Sequence, residues 1–229
     1  MKRIEYIGQH DSFKLMEKLS EKKVRVDAII TDPPYNVSRQ SNFHTMGRKG
    51  VDFGEWDKNF DVVSWIAPAL TLLKKGGNIV IFNDWKNMSY IKDELEKHGC
   101  LIKEMLMWRK TNPMPRNRDR LYVTSCEFVI WATNGKDWTF NRQRDTYENT
   151  IFEYPVVNHK QRIHPTQKPL ELMKDIVKIH TNEDDIVFDP FGGSFTTSAA
   201  CKELKRQYIS CDLENEYVKK GKERLAQII

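Results

Sequence analysis

Short apolar runs alternate with amphipathic stretches along most of the chain. The apolar runs are rich in β-branched and aromatic residues, which is typical of strands that are covered on both faces. They are residues 26–31, 78–82, 101–108, 127–131, 185–188 and 207–210. The stretches between them predict helices at residues 11–22, 62–74, 85–98, 170–180, 196–204 and 214–225. This alternation predicts an α/β fold in which a mostly parallel sheet carries helices on both faces.

Two stretches interrupt the alternation. Residues 36–59 are polar and contain several glycines without a clear period, and residues 134–165 are polar and basic with scattered aromatic side chains. Long irregular loops within a compact domain usually have a function of their own. We therefore expect both stretches to serve a site rather than the core, within a single domain that spans residues 1–229.

The composition is that of a globular protein. Of 229 residues, 39% are hydrophobic and 30% are charged, and a chain of this length can bury a sizeable core without covalent staples. It contains no apolar run long enough to cross a bilayer and no signal-peptide core, so we expect a cytoplasmic protein. The four cysteines lack the spacing of metal ligands, so we expect free thiols and no metal.

The net positive charge is modest, but basic residues are clustered in parts of the chain. The formal net charge is +5 and the isoelectric point is about 8.9, which is less basic than a protein that coats nucleic acid. Between positions 103 and 120, however, basic residues outnumber Glu104 and Asp119. They are Lys103, Arg109, Lys110, Arg116, Arg118 and Arg120. Such a cluster is usually a solvated face, but beside a base-binding pocket it would be expected to contact phosphates.

The sharpest chemical signal is the motif Asp32-Pro33-Pro34-Tyr35, directly after a predicted strand. In an open α/β sheet, ligands bind beyond the carboxyl ends of the strands. The prolines stiffen the turn and remove two N–H donors, so the Asp32 carboxylate and the Pro33 carbonyl offer neighbouring acceptors. Together they can accept both N–H donors of an exocyclic base amine and free its lone pair, while Tyr35 stacks on the extruded base. The alternative to this catalytic interpretation is that the motif forms only a rigid polar turn after the strand.

A second motif, DPFGGSFTT at residues 189–197, also follows a predicted strand and opens a predicted helix. Its small residues allow the backbone to approach a cofactor, and a helix N-terminus attracts negative charge. Roughly twenty residues later, Asp212 ends the next predicted strand, where a carboxylate binds ribose hydroxyls in dinucleotide-type folds. The glycines alone would indicate only a tight turn, but with Asp212 the pattern indicates a nucleoside-cofactor site.

Nearly the whole chain resembles the β-group amino-methyltransferases of DNA, and most of all the small adenine enzymes of bacterial restriction–modification systems. Residues 32–35 resemble their DPPY catalytic motif, and residues 189–197 resemble their cofactor loop. Residues 164–169, HPTQKP, resemble the family's motif that helps hold the cofactor. Residues 10–11 resemble the segment near the cofactor adenine, and residues 112–117 resemble a segment near target DNA. The resemblance implies a Rossmann-like, S-adenosylmethionine-dependent methyltransferase sheet with helices on both faces.

The resemblance also assigns roles residue by residue. It implies a catalytic set of Asp32, Pro33, Pro34 and Tyr35. It implies S-adenosylmethionine contacts from Asp11, His164, Thr166, Lys168, Asp189, Phe191, Gly193, Ser194, Thr196 and Asp212. For DNA it points to Arg109, Lys110, Asn112, Arg116, Arg118 and Arg120. Target recognition is expected in residues 112–122 and 134–163, and the loop 36–59 is expected to close over the flipped base.

The function that the resemblance implies is site-specific methylation of the N6 amine of adenine in double-stranded DNA. N4-cytosine methylation is the nearest alternative because both amines offer two N–H donors, and Asp rather than Ser at position 32 favours adenine. Methylation of RNA or of a protein amide is disfavoured, since such enzymes commonly carry Asn before the two prolines. Besides DNA, the expected partners are a second copy of the chain and a cognate restriction endonuclease, and no membrane.

Phe195 departs from the family's cofactor loop, which carries glycine at this position. A benzyl group there either points into the core, with some backbone strain, or occupies cofactor space. In both cases we expect Phe195→Gly to bind S-adenosylmethionine more tightly. A ring that blocks the pocket would instead favour a catalytically silent DNA-binding subunit.

Overall fold

Eight strands in one sheet form the centre of the computed structural model, which describes residues 3–35 and 60–228. The strands are β1 (Glu5–Gln9), β2 (Val26–Thr31), β3 (Leu73–Asn83), β4 (Leu101–Lys110), β5 (Cys126–Thr133), β6 (Ile151–Tyr154), β7 (Ile186–Asp189) and β8 (Gln207–Asp212). The helices are α1 (Ser12–Glu21), α2 (Ile66–Leu70), α3 (Met88–Lys97), α4 (Leu170–His180), α5 (Thr196–Glu203) and α6 (Asn215–Ala226). The strand order is β1-β8-β7-β2-β3-β5-β4-β6. The predicted α/β fold is confirmed.

Most neighbouring strands in this sheet are parallel. β1, β8, β7, β2 and β3 run in the same direction. β5 is antiparallel to both β3 and β4, and the edge strand β6 is parallel to β4. Because parallel strands end at the same edge of a sheet, Asp32, Asp189 and Asp212 come together at one end of this one.

Helices cover both faces of the sheet. Successive residues of β2 point to opposite sides, as the pleat of a strand requires. Ile30 packs in an apolar cluster with side chains from α4, α5 and α6, whereas Ile29 packs in a second cluster with side chains from α1, α2 and α3. Burial on both faces is the physical reason for the continuous apolar runs in the sequence.

One predicted helix is much shorter than expected. The pattern predicted a helix over residues 62–74, but α2 ends at Leu70 and β3 begins at Leu73. Leu73 is buried and pairs with Val26 of β2, so its apolar side chain belongs to the sheet. Gly76 lies within β3 with a φ of 77°, and its N–H donates to the Asn134 carbonyl. The glycine pair is therefore an irregularity in a strand rather than the end of a helix.

The sequence pattern missed two edge strands, β1 and β6. Neither has a continuous apolar run, since β1 contains three exposed residues and β6 has no fully buried one. Their positions depend on backbone pairing with β8 and β4. This pairing places Tyr6 opposite Ile209 and Phe152 opposite Trp108. The interpretation of residues 134–165 as an irregular stretch was therefore wrong for β6, because edge strands are defined by pairing more than by burial.

The cysteines take part in no disulfide. Cys100 is buried, and desolvation raises the pKa of its thiol to about 11, so the thiol stays protonated near neutral pH. Among residues 3–35 and 60–228, no group of His, Cys, Asp and Glu side chains could hold a metal ion. No helix in the same part of the chain is long and apolar enough to cross a membrane.

Candidate active site

A cleft of about 1190 Å³ lies at the carboxyl ends of the parallel strands. It brings together the segments that carry the sequence motifs, although they are far apart along the chain. These lining segments are residues 10–13, 32–35, 114–117, 164–168, 189–194 and 212–214. The predicted loop 36–59, which was expected to close over the base, lies outside the described residues.

Asp32 has a partner on each carboxylate oxygen. Its Oδ2 forms an ion pair with Lys168 Nζ, and its Oδ1 lies 2.6 Å from the Tyr35 hydroxyl, which donates to it. The Tyr35 carbonyl accepts a hydrogen bond of 2.7 Å from Asn87 Nδ2, which ties the proline turn to the start of α3. The carboxylate is therefore held in position by neighbouring protein groups, as preorganised sites require.

Glu127, at the start of β5, completes a charge network around Asp32. Its Oε1 lies 2.8 Å from Lys110 Nζ, and its Oε2 lies 3.1 Å from both Lys168 Nζ and the Tyr35 hydroxyl. No role could be assigned to Glu127 from the sequence. The one available signal was a carboxylate at the edge of an otherwise apolar run, which also fits a solvent-facing strand end.

Burial and charge act on the two acids in opposite net directions. Burial raises the pKa of Asp32, and the ammonium of Lys168 only partly offsets this. Burial acts in the same sense on Glu127, but the ammonium groups of Lys168 and Lys110 outweigh it and lower the pKa of that carboxyl. Asp32 is therefore the easier of the two acids to protonate, while Glu127 stays ionised.

Asp189 links the cofactor loop to the end of β2. Its Oδ1 accepts hydrogen bonds from the Thr31 hydroxyl at 2.7 Å and from the Phe191 N–H at 3.1 Å. Burial raises the pKa of Asp189 to about 6, against the effect of those hydrogen bonds. The Phe191 ring packs edge-on against Trp65, with 5.3 Å between ring centroids, which fixes the other side of the turn.

Asp212 and Gly193 form a cradle on the cleft wall. Asp212 Oδ2 accepts the Gly193 N–H at 2.9 Å, and Oδ1 accepts the Glu214 N–H at 2.8 Å. Gly193 has a φ of 50°, and a β-carbon there would come within 3.5 Å of the His164 ring. Each carboxylate oxygen keeps a further lone pair, so Asp212 can still accept bonds from a ribose diol. The residues present therefore fit an adenosyl cofactor.

His164 and Thr166 form the wall opposite Gly193. His164 Nδ1 lies 3.1 Å from the Thr166 hydroxyl, and the His164 ring meets Tyr217 of α6 edge-on, with 4.4 Å between ring centroids. Burial lowers the pKa of His164 to about 4, with a smaller contribution from the charge of Lys168. The imidazole is therefore neutral near pH 7 and adds no charge to the cleft.

Phe195 points away from the cleft. Its side chain is fully buried in the cluster with α4, α5 and α6, and it does not line the cavity. The backbone has a φ of 53°, the left-handed conformation that glycine adopts without strain. Ser194 and Thr196, on either side, are held by Arg224 of α6, whose guanidinium donates to the Ser194 carbonyl at 3.1 Å and the Thr196 hydroxyl at 3.0 Å. Of the two positions that the sequence allowed for the ring, the structure has the one in the core.

Asp11, assigned to the cofactor, lines the cleft and also caps a helix. Its Oδ1 accepts the Lys14 N–H at 3.0 Å at the start of α1. This cap holds α1 at the cleft edge and leaves the second carboxylate oxygen available to a ligand.

Three basic residues from the sequence analysis are paired with carboxylates. Lys168, assigned to the cofactor, is bound to Asp32 and Glu127, and its side chain is only 5% exposed. Lys110, assigned to DNA, is bound to Glu127 and is 16% exposed, so it is not placed as a free phosphate contact. Arg109 forms an ion pair with Glu153 of β6. Charge density along the chain could not show this, because the acids come from other strands.

The remaining DNA candidates lie in the segment that follows β4. Arg116 lines the cleft, whereas Arg118 and Arg120 are exposed. Asn112 Oδ1 accepts the Val156 N–H at 2.6 Å, which joins the segment after β4 to the segment after β6. Asn112 therefore supports the segment that carries the arginines, and Arg118 Nε lies 3.7 Å from Oδ1 of its neighbour Asp119.

Known proteins resemble this chain along most of its length. The family described as DNA methylase matches residues 26–223. The type II methyltransferase M2.MboI of Moraxella bovis is 33% identical over 222 residues, which are 89% of this chain and 81% of that protein. M2.DpnII of Streptococcus pneumoniae is 32% identical over 94% of this chain and 87% of that protein.

Solved structures show the same likeness. The crystal structure of an M1.HpyAVI–SAM complex has a TM-score of 0.80 and 39% sequence identity, over 96% of this chain and 98% of that one. The PvuII DNA methyltransferase, described as cytosine-N4-specific, has a TM-score of 0.73 at 18% identity over 98% of this chain and 86% of that one, a likeness of fold alone. With its motifs gathered in one cleft and the family match spanning most of its length, the chain belongs to the DNA methylase family.

Proposed function

We propose that this DNA methylase transfers a methyl group from S-adenosylmethionine to the N6 amine of adenine at a specific site in double-stranded DNA. The observation that carries the proposal is the position of Asp32, which lines the same cleft as the Asp212–Gly193 cradle and is held there by Lys168 and Tyr35. A base amine that reaches Asp32 therefore shares a cavity with the cofactor site.

The cofactor-binding residues follow from the cradle. Asp212 binds the ribose hydroxyls, and the Gly193 backbone comes close to the cofactor because no side chain intervenes. Ser194, Thr196, His164 and Thr166 shape the adjoining wall. When bound, S-adenosylmethionine supplies an electrophilic methyl group, whose bond to sulfur breaks as the amine lone pair forms the N–CH₃ bond.

The catalytic residues orient the amine and take its proton. Asp32 accepts one N–H and the Pro33 carbonyl accepts the other, so the nitrogen lone pair is less delocalised into the ring. Asp32 then receives the proton that the methylated nitrogen loses, which suits a carboxyl whose pKa burial has raised. The flipped base stacks on Tyr35, and an enzyme acting on duplex DNA needs such extrusion.

The proposal also covers the contacts with DNA and the protein partners. Arg116, Arg118 and Arg120 contact DNA phosphates, and residues 112–122 and 134–163 read the target site. A type II relative at about one-third identity favours a restriction–modification role, with a cognate endonuclease that cuts the same sequence. A homodimer and a cytoplasmic location remain predictions from the family resemblance.

The test is methylation of duplex DNA by the purified chain with labelled S-adenosylmethionine, followed by nucleoside analysis. N6-methyladenine is the expected product, and N4-methylcytosine in its place would reject the adenine assignment. Asp32→Asn should lower the single-turnover rate at least roughly a hundredfold, with cofactor affinity nearly unchanged because Asp32 does not contact the cradle. Undiminished turnover in this variant would reject the role of Asp32.

A further inference from the structure

The charge network around Asp32 contains a second carboxylate that the reaction itself does not need. Asp32 and Glu127 share one ammonium group, that of Lys168, and Lys110 holds the far oxygen of Glu127. The side chains of the two acids are 21% and 20% exposed, and that of Lys168 is 5% exposed. The two acids and the two bases balance in charge in the resting site. We therefore look for the role of the second acid in the reaction, during which the charge of Asp32 changes.

We propose that Glu127 is a positioning residue for methyl transfer: it is the standing counter-ion of Lys168, and it allows Asp32 to turn to the base amine and accept its proton. This inference rests on the proposed function. The resting site pairs Lys168 with both acids. When Asp32 engages the amine or becomes protonated, Lys168 keeps one charged partner, Glu127 Oε2, at 3.1 Å.

Lys168 needs such a partner because its surroundings cannot solvate it. Its Nζ lies 5.3 Å from the Phe82 ring centroid and 5.4 Å from that of Tyr35. These cation–π contacts stabilise the ammonium, but by much less than its desolvation costs. A buried ammonium is therefore strongly destabilised once it loses its counter-ion. Without Glu127, every step that neutralises Asp32 would leave Lys168 in that state.

Lys110 keeps Glu127 ready for this role. Its ammonium lies 2.8 Å from Glu127 Oε1, on the side away from Lys168, and favours the ionised carboxylate. The groups that face Glu127 are Lys110 from β4, Lys168 from the segment before α4, and Asp32 and Tyr35 from the turn after β2. The charge of Lys168 lowers the pKa of His164 and that of Asp32 raises the pKa of Asp189, so both groups lie within electrostatic reach of the network.

The decisive experiment is a double-mutant cycle on single-turnover methyl transfer with the full chain. Glu127→Gln should slow transfer by about a hundredfold in the parent, but by less than about threefold in a Lys168→Met background. There the buried ammonium that Glu127 neutralises is gone, and the remaining one, that of Lys110, is 16% exposed and reaches solvent. Equal losses in the two backgrounds, or an unaltered rate for Glu127→Gln, would overturn the proposal. Cofactor affinity and melting temperature are measured on every variant, and Glu104→Gln, an exposed acid on β4, is the matched control.

Two further readouts separate charge from shape. Glu127 raises the pKa of Asp32, so the acid limb of the Glu127→Gln rate profile should move to lower pH, which a merely structural loss would not cause. Glu127→Asp keeps the charge and should stay within about tenfold of the parent. An aspartate variant slowed by about a hundredfold would refute the counter-ion role. This measurement needs only the aspartate variant and the parent, so it holds even if Glu127→Gln fails to fold. A parent that methylates no DNA would reject the proposed function and this inference with it, whereas an active parent with an unaffected Glu127→Gln rejects only the inference.

Discussion

The ring of Phe195 fills the space that a β-carbon on Gly221 would need. Gly221 lies in the buried face of α6, and an added β-carbon would overlap Phe195 Cδ2. The large residue in the cofactor loop is therefore matched by a missing side chain on the helix behind it. This pairing explains how the loop keeps its path beside the cleft although phenylalanine occupies a left-handed position.

This relationship predicts that Phe195→Gly destabilises the protein and does not tighten cofactor binding. Removing a fully buried phenylalanine costs about 3–5 kcal/mol, which exceeds the roughly 1–2 kcal/mol regained by relieving the left-handed backbone. The sequence suggested tighter binding for either position of the ring. With the ring in the core, the lost packing is larger than the relieved backbone strain, so we predict no gain in affinity. Chemical denaturation and cofactor titration on the same variant check both parts.

Gly221→Ala gives the complementary prediction. In the parent it should lower the free energy of unfolding by about 1–3 kcal/mol, because the new methyl group overpacks against the ring. In the Phe195→Gly background the same change should be stabilising, since alanine is the better helix former by roughly 1 kcal/mol. Additive effects of the two substitutions would contradict the pairing.

Asp212→Asn should weaken S-adenosylmethionine binding by about 2 kcal/mol, the scale of a charge-assisted hydrogen bond. Asparagine is preferred to alanine because its oxygen can still accept one of the backbone N–H groups of Gly193 and Glu214. DNA affinity in the absence of cofactor should barely change. Isothermal titration measures the effect, and equal cofactor affinity in variant and parent would reject the ribose role.

Neutralising Arg116, Arg118 and Arg120 together should weaken DNA binding and flatten its salt dependence. Each lost phosphate contact lowers the log–log slope by about one. Arg109→Gln is the matched control, because Arg109 already pairs with Glu153 and should affect the slope less. Fluorescence anisotropy across a salt series provides the slopes. An unchanged slope in the triple variant would identify these arginines as an ordinary solvated surface.

Asp189 predicts a pH dependence of stability with a definite sign. Its pKa of about 6 in the folded protein lies above the ordinary value, so the folded state binds the proton more tightly. The parent should therefore lose stability as the pH rises from about 4 to about 6. Asp189→Asn lacks this titration and should gain roughly 2–3 kcal/mol relative to the parent across that window. Urea denaturation at several pH values checks this, and a constant difference would contradict it.

Elements that depend on local chemistry could be predicted from the amino-acid sequence alone. The apolar runs of β2, β7 and β8 and the helical spacing of α4 were sufficient because strands buried on both faces tolerate few polar residues. The DPPY turn and the small residues near Gly193 were recognisable for a similar reason, since their function depends on a short stretch of backbone.

Features that depend on partners from distant parts of the chain became visible only in the folded structure. The sequence showed Lys110 and Lys168 only as basic residues of separate segments, and the sheet places Glu127 between them. The sequence was also compatible with two orientations of the Phe195 ring, into the core or into the cleft. Gly221, which is distant in the sequence, leaves the space that the ring occupies in the core. The physical reason is that charge pairing and packing act over distances of a few ångströms in space, and the sequence order does not record which segments come that close.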